Sequence, residues 1–332
     1  MERANFDRDA GLARLRMMER IRAFEATAKR AAVDEALVLG AIHLCIGQEA
    51  VSAGVCEALR RDDYITSNHR GHGHTLAKGA SPEAMMKELL GRRGGCCGGK
   101  GGSMHIADFG VGMLGANGVV SANITIAAGA AHGVKLKGGD QVAVCFLGDG
   151  AINRGPFLEG LNWAGVFGLP ILFVCEDNLY SATQRTEAMT AGTGAVARAE
   201  GIGLKAVSVD GNDVTEVAET AAAMVARIRA ASEPEFLHAR TYRFDGHTYF
   251  DPGAYRPKAE VEAAIATDCP IARLRAALTQ SGVEAARLTE IETEAAAEME
   301  AALAAARSAP WPDEASAFAD VQDVGSPAMD AF

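Results

Sequence analysis

The sequence predicts an α/β fold: a doubly wound, mostly parallel sheet with helical extensions at the N- and C-terminal ends. Two apolar runs, residues 142–147 and 170–175, are typical of buried strands, and a helical pattern over residues 157–167 separates them. This strand–helix–strand order is typical of a parallel sheet covered by helices. Apolar residues at helical spacing are frequent towards both ends of the chain, which predicts the helical extensions.

The other elements follow from periodicity and from helix start signals. Ser81 before Pro82 has the residue preferences of a helix cap and first turn. From Ala259 onward an Ala/Glu-rich helical pattern is broken at Pro270. Helices are predicted over residues 12–39, 48–60, 82–90, 124–135 and 215–230, and strands over residues 64–67, 207–211 and 235–240. We expect an N-terminal helical extension (1–40), an α/β domain (41–258) and a C-terminal helical extension (259–332).

Residues 91–118 form a glycine-dense segment without clear periodicity. A loop of this length inside a compact chain is usually functional, and its glycines allow a close approach of backbone to a ligand. Residues 110–115 match G-x-G-x-x-G, and residues 94–100 match most of a P-loop. No buried strand precedes either match, so we expect neither to bind a nucleotide.

Composition and charge exclude several classes of protein. The chain has 32 basic and 43 acidic side chains, a net charge of −11, so we expect no nucleic-acid partner and no membrane partner. No apolar run reaches the roughly 18 residues of a membrane span, and no targeting pattern is visible, which predicts a cytoplasmic protein. The seven cysteines include no Cys-x-x-Cys pair, which argues against a zinc site.

The strongest functional signal joins the ends of the two central strands. Gly148-Asp149-Gly150 follows the first strand, and Asn178-Leu179-Tyr180 follows the second. Because ligands of open parallel sheets bind outside the carboxyl ends of the strands, Asp149 and Asn178 should emerge at one edge. A carboxylate and an amide oxygen suit Mg²⁺, which completes its octahedron with phosphate oxygens and water.

These residues also carry a family resemblance. The segment GDGAINRGPFLEGLNWAGVFGLPILFVCEDNLYS resembles the thiamine diphosphate fingerprint, and more narrowly the alpha subunit of the heterotetrameric 2-oxoacid dehydrogenase and acetoin dehydrogenase family. Five more segments agree in order: AIHLCIGQEA from Ala41, SNHRGHGHTLAKG from Ser67, GKGGSMHIAD from Gly99, MLGANGVV from Met113 and TYRFDGHTYFDPGAYRP from Thr241. The resemblance extends from about residue 15 to Leu278 and implies the thiamine diphosphate-binding fold.

The resemblance implies a role for each residue that matches a family motif. Asp149, Asn178 and the main-chain carbonyl of Tyr180 would hold Mg²⁺. His43 and His247 would be catalytic, because imidazole can donate or accept protons near neutral pH. Arg70 would be the cationic partner of the diphosphate. The cofactor-binding residues would be His69, Arg70, Gly118, Val120, Asp149, Gly150, Ala151, Asn178, Tyr180 and His247.

Members of this family form an enamine from a 2-oxoacid or an acyloin and transfer the acyl group to a lipoyl carrier. The resemblance therefore implies a small-molecule substrate and a lipoyl-bearing acyltransferase as acceptor. In the family a beta subunit supplies the activating acid, and we expect no second cofactor-binding domain within these 332 residues. We therefore expect an α₂β₂ heterotetramer with that beta subunit. A non-catalytic assembly subunit is the alternative from another class.

Three parts of the chain depart from the family pattern: Glu176-Asp177-Asn178, Ser181-Ala182-Thr183-Gln184 and Asp245. His69 stands where pyruvate-type members often have tyrosine, and acetoin-type members share the histidine. Asp245 would oppose a carboxylate substrate if it faced the cleft, so both residues favour acetoin over pyruvate or a branched-chain 2-oxoacid. Asp177 replaces the first asparagine of the common Glu-Asn-Asn run.

His72 and His74 could form a metal cluster, but Arg70 beside them would oppose a cation, which favours a structural role.

Overall fold

The computed structural model describes residues 7–38 and 40–319. Within them, six parallel strands form one sheet in the order β2-β1-β3-β4-β8-β7, and a short antiparallel hairpin, β5-β6, lies outside it. The strands are β1 (Tyr64–Asn68), β2 (Met113–Asn117), β3 (Ala143–Gly148), β4 (Ile171–Asp177), β5 (Tyr180–Ser181), β6 (Gln184–Arg185), β7 (Lys205–Asp210) and β8 (Glu235–Arg240).

Helices cover both faces of the sheet, because successive strand residues point to opposite sides. In β3, Val144 and Phe146 join one apolar core, and Cys145 and Leu147 join the other. This confirms the doubly wound architecture. The helices are α1 (Arg8–Val33), α2 (Glu49–Glu57), α3 (His72–Ala77), α4 (Pro82–Leu89), α5 (Ala122–Leu136), α6 (Gly155–Phe167), α7 (Ala195–Gly201), α8 (Val214–Ala231), α9 (Lys258–Asp268), α10 (Pro270–Gln280) and α11 (Ala285–Ser308).

The helical extensions at the two ends of the chain pack against each other. Leu15 and Met18 of α1 share an apolar cluster with Leu274 of α10 and Ile291 of α11. The predicted break at Pro270 is confirmed, since α9 ends at Asp268 and α10 begins at the proline. The first residue of a helix has no partner for its N–H within the helix, so proline is tolerated there. The domain boundaries at residues 40 and 258 stay predictions.

Several predicted elements needed correction. The prediction that the first helix continues to residue 39 is wrong, because α1 ends at Val33, and Ala36 has a left-handed φ of +52°; Leu39 itself lies outside the described residues. Helix α2 is shorter than residues 48–60. Strand β2, helix α7 and the β5-β6 hairpin were not predicted, since each is short and β2 contains a glycine.

The topology places four strand ends together. Because β1, β2, β3 and β4 are parallel neighbours, their carboxyl ends at Asn68, Asn117, Gly148 and Asp177 meet at one edge of the sheet. The loops that follow these ends carry the side chains of the candidate site. Within residues 7–38 and 40–319, no helix is both long and apolar enough to cross a membrane.

Candidate active site

A cavity of about 200 Å³ opens at this edge of the sheet. The structure brings together around it every site residue that the sequence predicted. They come from loops that are far apart in the chain, which only the parallel topology unites. The lining includes His43, His69, Arg70, Gly118, Val120, Asp149, Gly150, Ala151, Asn178, Tyr180 and His247.

Asp149 lies at the floor of the cavity, directly after β3. Its Oδ1 accepts the N–H of Gly150 at 2.9 Å, and its Oδ2 accepts the hydroxyl of Thr186. The carboxylate is buried and makes no ion pair within the described residues. Burial raises its pKa to about 6. Burial without a cationic partner disfavours the charged form of this carboxylate. A bound divalent cation would stabilise that charged form.

Asn178 and Tyr180 face Asp149 from a tight turn after β4. Leu179 between them has φ +72°, a left-handed conformation that is uncommon for a branched side chain. The amide Nδ2 of Asn178 donates to Oε1 of Gln48 at 2.9 Å, which fixes the orientation of the amide. Gln48 was not assigned a role from the sequence, although it lies within the quoted segment AIHLCIGQEA.

Gly150 is required by a close approach between two loops. A Cβ at residue 150 would lie 2.1 Å from Oγ of Ser181 and 2.8 Å from its Cβ. Only glycine therefore lets the chain after Asp149 pass the β5-β6 hairpin. The next residue, Ala151, accepts the hydroxyl of Ser121 through its carbonyl at 3.1 Å, which ties the segment with Gly118 to the same loop.

Three histidines form the upper wall of the cavity. The ring centroids of His43, His69 and His247 are 4.6–5.4 Å apart. Burial, followed by the charge of Arg70, lowers the pKa of His43 to about 3, of His69 to about 2 and of His247 to about 4. All three are therefore neutral at physiological pH and act there as hydrogen-bonding groups.

The same three histidines could offer nitrogen ligands to a metal ion, since the ligand atoms lie within 4.8 Å of one another. Arg70 argues against this interpretation, because its Nη2 donates to Nδ1 of His247 at 3.1 Å. Arginine is a donor only, so the ring proton of a neutral His247 must sit on Nε2. A dication at this point would also face the buried guanidinium of Arg70.

Arg70 is held so that its charge faces the cavity. Its Nη1 donates to the carbonyl of Leu44 at 2.8 Å, and Nη2 also donates to the carbonyl of His247 at 3.0 Å. Burial lowers the pKa of Arg70 to about 9, which leaves it cationic at neutral pH. It is thus the type of group that binds a phosphate.

Arg243 is a second buried cation that lines the cavity, and the sequence analysis did not single it out. Its Nη2 donates to the hydroxyl of Tyr255 at 2.7 Å, and that hydroxyl donates to Asp251 at 2.9 Å. Asp251 also accepts the backbone N–H of His247 at 2.6 Å. This chain of bonds holds the loop that presents His247. The signal in the sequence was an arginine in the segment TYRFDGHTYF.

His72 and His74 have structural roles, as expected. His72 bridges Glu25 and Ser103, each at 2.9 Å. His74 contacts Ser67 at 2.8 Å and stacks on Phe146 with centroids 3.9 Å apart. Both histidines are buried away from the cavity lining.

The expectation for Asp245 needs correction. The side chain does not line the cavity, and its Oδ1 lies 2.7 Å from Nζ of Lys29. The charge is therefore paired with a cation on α1, and Asp245 gives no reason to disfavour a carboxylate substrate.

The two nucleotide-like motifs are not ligand sites. Around residues 94–102 the backbone folds over Glu88, whose carboxylate accepts N–H groups from Cys97, Gly99, Gly101 and Gly102 at 2.7–3.1 Å. The chain's own carboxylate thus fills the cradle that a phosphate would need. Residues 110–115 run into β2 instead of following a strand.

The residues of the cavity fit a magnesium-bound diphosphate. A buried unpaired carboxylate, an oriented amide and a main-chain carbonyl supply oxygen ligands, and Arg70 supplies a cation for phosphate oxygens. The neutral histidines line the same cavity, where they could donate or accept a hydrogen bond at a reacting atom.

Comparison with known proteins agrees with the resemblance seen in the sequence. Residues 16–315 match the model of the dehydrogenase E1 component family. The chain is 42% identical to the alpha subunit of an acetoin:2,6-dichlorophenolindophenol oxidoreductase from Cupriavidus necator, over 95% of both chains. Identity is 40% to the subunit of the same name from Bacillus subtilis, over 85% of this chain and 84% of the relative.

A pyruvate dehydrogenase E1 component subunit alpha from Rhizobium meliloti is 35% identical, over 96% of this chain and 91% of the relative. These relatives are alpha subunits of oxidoreductases, and each match extends over most of both chains. The chain belongs to the dehydrogenase E1 component family, as an alpha-type subunit of an oxidoreductase.

Proposed function

We propose that this chain is the alpha subunit of a thiamine diphosphate- and Mg²⁺-dependent dehydrogenase that delivers an acyl group to a lipoyl carrier. One observation carries the proposal: Asp149 and the Asn178–Tyr180 turn meet at adjacent strand ends, inside the cavity that Arg70 lines. Asp149, Asn178 and the carbonyl of Tyr180 would hold Mg²⁺. Arg70, Gly150 and Ala151 would bind the diphosphate, and His69, Gly118 and Val120 would line the rest of the cofactor.

When bound, thiamine diphosphate supplies a nucleophilic carbon that adds to a carbonyl group. The chain's own residues orient this chemistry and move protons. His247, with its proton fixed on Nε2 by Arg70, is placed to donate a hydrogen bond into the cavity. His43 is buried beside it, and its Nδ1 has no hydrogen-bond partner within the described residues.

For the substrate we propose an acyloin such as acetoin. The named acetoin oxidoreductase subunits are 42% and 40% identical to this chain, against 35% for the pyruvate dehydrogenase subunit. His69 supports the same choice, since it replaces the tyrosine of many pyruvate-type members. The charge of Asp245 is paired, so Asp245 no longer argues against a carboxylate substrate. The preference for acetoin therefore rests on the relatives and on His69 alone.

We propose that a beta subunit covers the helices on one face of the sheet, in an α₂β₂ assembly. The α5/α6 surface consists of Gly129, Gly133, Leu136, Leu158, Trp163, Val166 and Phe167. Leu136 is 79% exposed, Leu158 60% and Val166 70%. A Cβ at Gly129 or Gly133 would meet nothing within 4 Å, which leaves a groove for a close-packed helix. Contiguous apolar surface of this kind is typical of subunit interfaces.

This surface continues towards the cavity. Val119 and Val120 precede α5 and are 67% and 46% exposed, although Val120 also lines the cavity. A partner on the α5/α6 surface would therefore reach the mouth of the site. That position agrees with a half-site that a beta subunit completes.

Reduction of an artificial dye by the purified alpha/beta complex tests the proposal. With thiamine diphosphate and Mg²⁺ we expect turnover of acetoin, loss of turnover in EDTA, and little turnover of pyruvate. If the complex turns over pyruvate but not acetoin, the proposed substrate is wrong and the proposed cofactor stands. Full activity without thiamine diphosphate would contradict the cofactor assignment. An Asp149→Ala complex that assembles but retains normal activity would favour the assembly-subunit alternative.

A further inference from the structure

Asp177 ends β4 one residue before Asn178, and both oxygens of its carboxylate are bonded. Oδ1 accepts the backbone N–H of Leu179 at 3.1 Å, and Oδ2 lies 2.9 Å from Nε2 of His238 on β8. The carbonyl of Asp177 also accepts the N–H of Thr241 at 2.8 Å. Both oxygens of the Asp177 carboxylate therefore already have partners within the protein. Asp149 and Asn178 are then the side chains that would bind the proposed cation.

His238 is held from its other side by a third strand. The sheet register pairs His238 with Cys175 of β4 and with Ser208 of β7, so all three residues lie on one face. Oγ of Ser208 lies 3.0 Å from Nδ1 of His238. In the tautomer with its proton on Nε2, the ring donates to Asp177 and accepts from Ser208. Both ring nitrogens then have a hydrogen-bond partner, and the ring orientation is fixed.

The bond from Asp177 to Leu179 stabilises the turn that presents the proposed metal ligands. Leu179 has φ +72°, which needs support from outside the residue. Its N–H is held by Asp177, and its carbonyl accepts the N–H of Thr186 at 3.1 Å. The hydroxyl of Thr186 donates to Asp149. A continuous path of bonds therefore runs from His238 around the turn to Asp149.

We propose that His238 is a positioning residue, which through Asp177 fixes the Asn178–Leu179–Tyr180 turn against Asp149. The inference rests on the proposed function, because the turn is taken to hold the Mg²⁺ of the cofactor. Partners of this kind commonly change metal affinity or activity by about 10- to 100-fold when they are removed.

The test measures Mg²⁺ half-saturation in the co-purified alpha/beta complex at a fixed concentration of thiamine diphosphate, by isothermal titration or quenching of tryptophan fluorescence. In His238→Leu and Asp177→Ala we expect the half-saturating Mg²⁺ concentration to rise by about 10-fold. The double variant should be no weaker than Asp177→Ala, because His238 acts through Asp177. His238→Gln, which offers an amide donor, should recover most of the affinity.

Thr279→Ala is the control, since it removes an exposed hydroxyl on α10 and leaves both bonds of His238 in place. We expect its Mg²⁺ half-saturation to stay within about twofold of the wild type, compared with the 10-fold change expected above. Should His238→Leu not assemble, His238→Ser replaces it, because serine is too short to reach Asp177.

Three results would overturn the proposal. If the wild-type complex binds thiamine diphosphate with Mg²⁺ and the His238 and Asp177 variants require the same Mg²⁺, the positioning role is wrong and the proposed function stands. If the wild-type complex does not bind thiamine diphosphate, both are wrong. A lower melting temperature of the variants with unchanged Mg²⁺ dependence shows a purely structural bond and also overturns the proposal.

Discussion

Arg70 and His247 are joined by two hydrogen bonds from a single nitrogen: Nη2 of Arg70 donates to Nδ1 of the imidazole at 3.1 Å and to the carbonyl of the same residue at 3.0 Å. The guanidinium thus fixes both the tautomer and the backbone of His247. A diphosphate bound at Arg70 would therefore be linked, through one side chain, to the group proposed to move a proton.

His247→Phe should separate catalysis from cofactor binding. Loss of a positioned proton donor commonly lowers the rate by about 10²- to 10⁴-fold, whereas Arg70 and the Asp149 loop stay in place to bind the diphosphate. We expect kcat for acetoin to fall in this range and cofactor affinity to fall far less. Dye reduction and thiamine diphosphate titration measure the two effects. His105→Phe, an exposed histidine, is the control. A kcat within threefold of the wild type would remove the proton-transfer role.

Gly150→Ala should abolish cofactor binding through a clash that can be relieved. The new Cβ would lie 2.1 Å from Oγ of Ser181. The double variant Gly150→Ala/Ser181→Gly removes the opposing side chain and should recover binding. Gly201→Ala is the matched control, because a Cβ there meets nothing within 4 Å and Gly201 does not line the cavity. Normal binding in the single variant, measured by titration calorimetry, would show that the two loops are not held together as described.

The three buried histidines should make the complex sensitive to acid. Their pKa values are lowered to about 3, 2 and 4 in the folded chain, below the unfolded value near 6.5. The unfolded chain therefore binds more protons below pH 6.5, and stability falls as the pH drops from there towards the folded pKa values.

His69→Phe should reduce this acid sensitivity, since one such histidine contributes at most about 1.4 kcal/mol per pH unit. The measurement is the melting temperature of the cofactor-free complex between pH 7 and pH 5. The variant should lose fewer degrees than the wild type over this interval. An equal loss in both would contradict a neutral, buried His69.

A charge on the α5/α6 surface should prevent assembly without unfolding the subunit. Leu158→Arg places a cation at a 60% exposed position of the apolar surface, where a partner could not hydrate it. We expect the alpha chain to lose its co-purifying beta subunit and to keep its circular dichroism spectrum. Ile265→Arg, at a 46% exposed position on α9, is the control and should assemble normally. Intact complex with Leu158→Arg would place the interface elsewhere.

The sequence predicted the layers of the sheet well because buried parallel strands leave long apolar runs, such as residues 142–147. It also singled out Asp149, Asn178 and Arg70, whose local motifs are distinctive and which line one cavity in the structure. It did not single out Thr186 or Arg243, since their importance depends on contacts with residues far away in the chain. The expectation that Asp245 faces the cleft failed for the same reason. Its partner is Lys29, 216 positions earlier, and no local pattern predicts that ion pair.

The central claim is that oxygens from two strand ends hold one divalent cation on a diphosphate. Crystals of the alpha/beta complex grown with thiamine diphosphate and Mn²⁺ test it directly, because Mn²⁺ can be located by its anomalous scattering. We expect one anomalous peak about 2.0–2.3 Å from Oδ of Asp149, Oδ1 of Asn178 and the carbonyl oxygen of Tyr180, a spacing typical of hard cations with oxygen ligands. A cofactor bound with no peak there, or with Asp149 and Asn178 turned away from each other, would contradict the account.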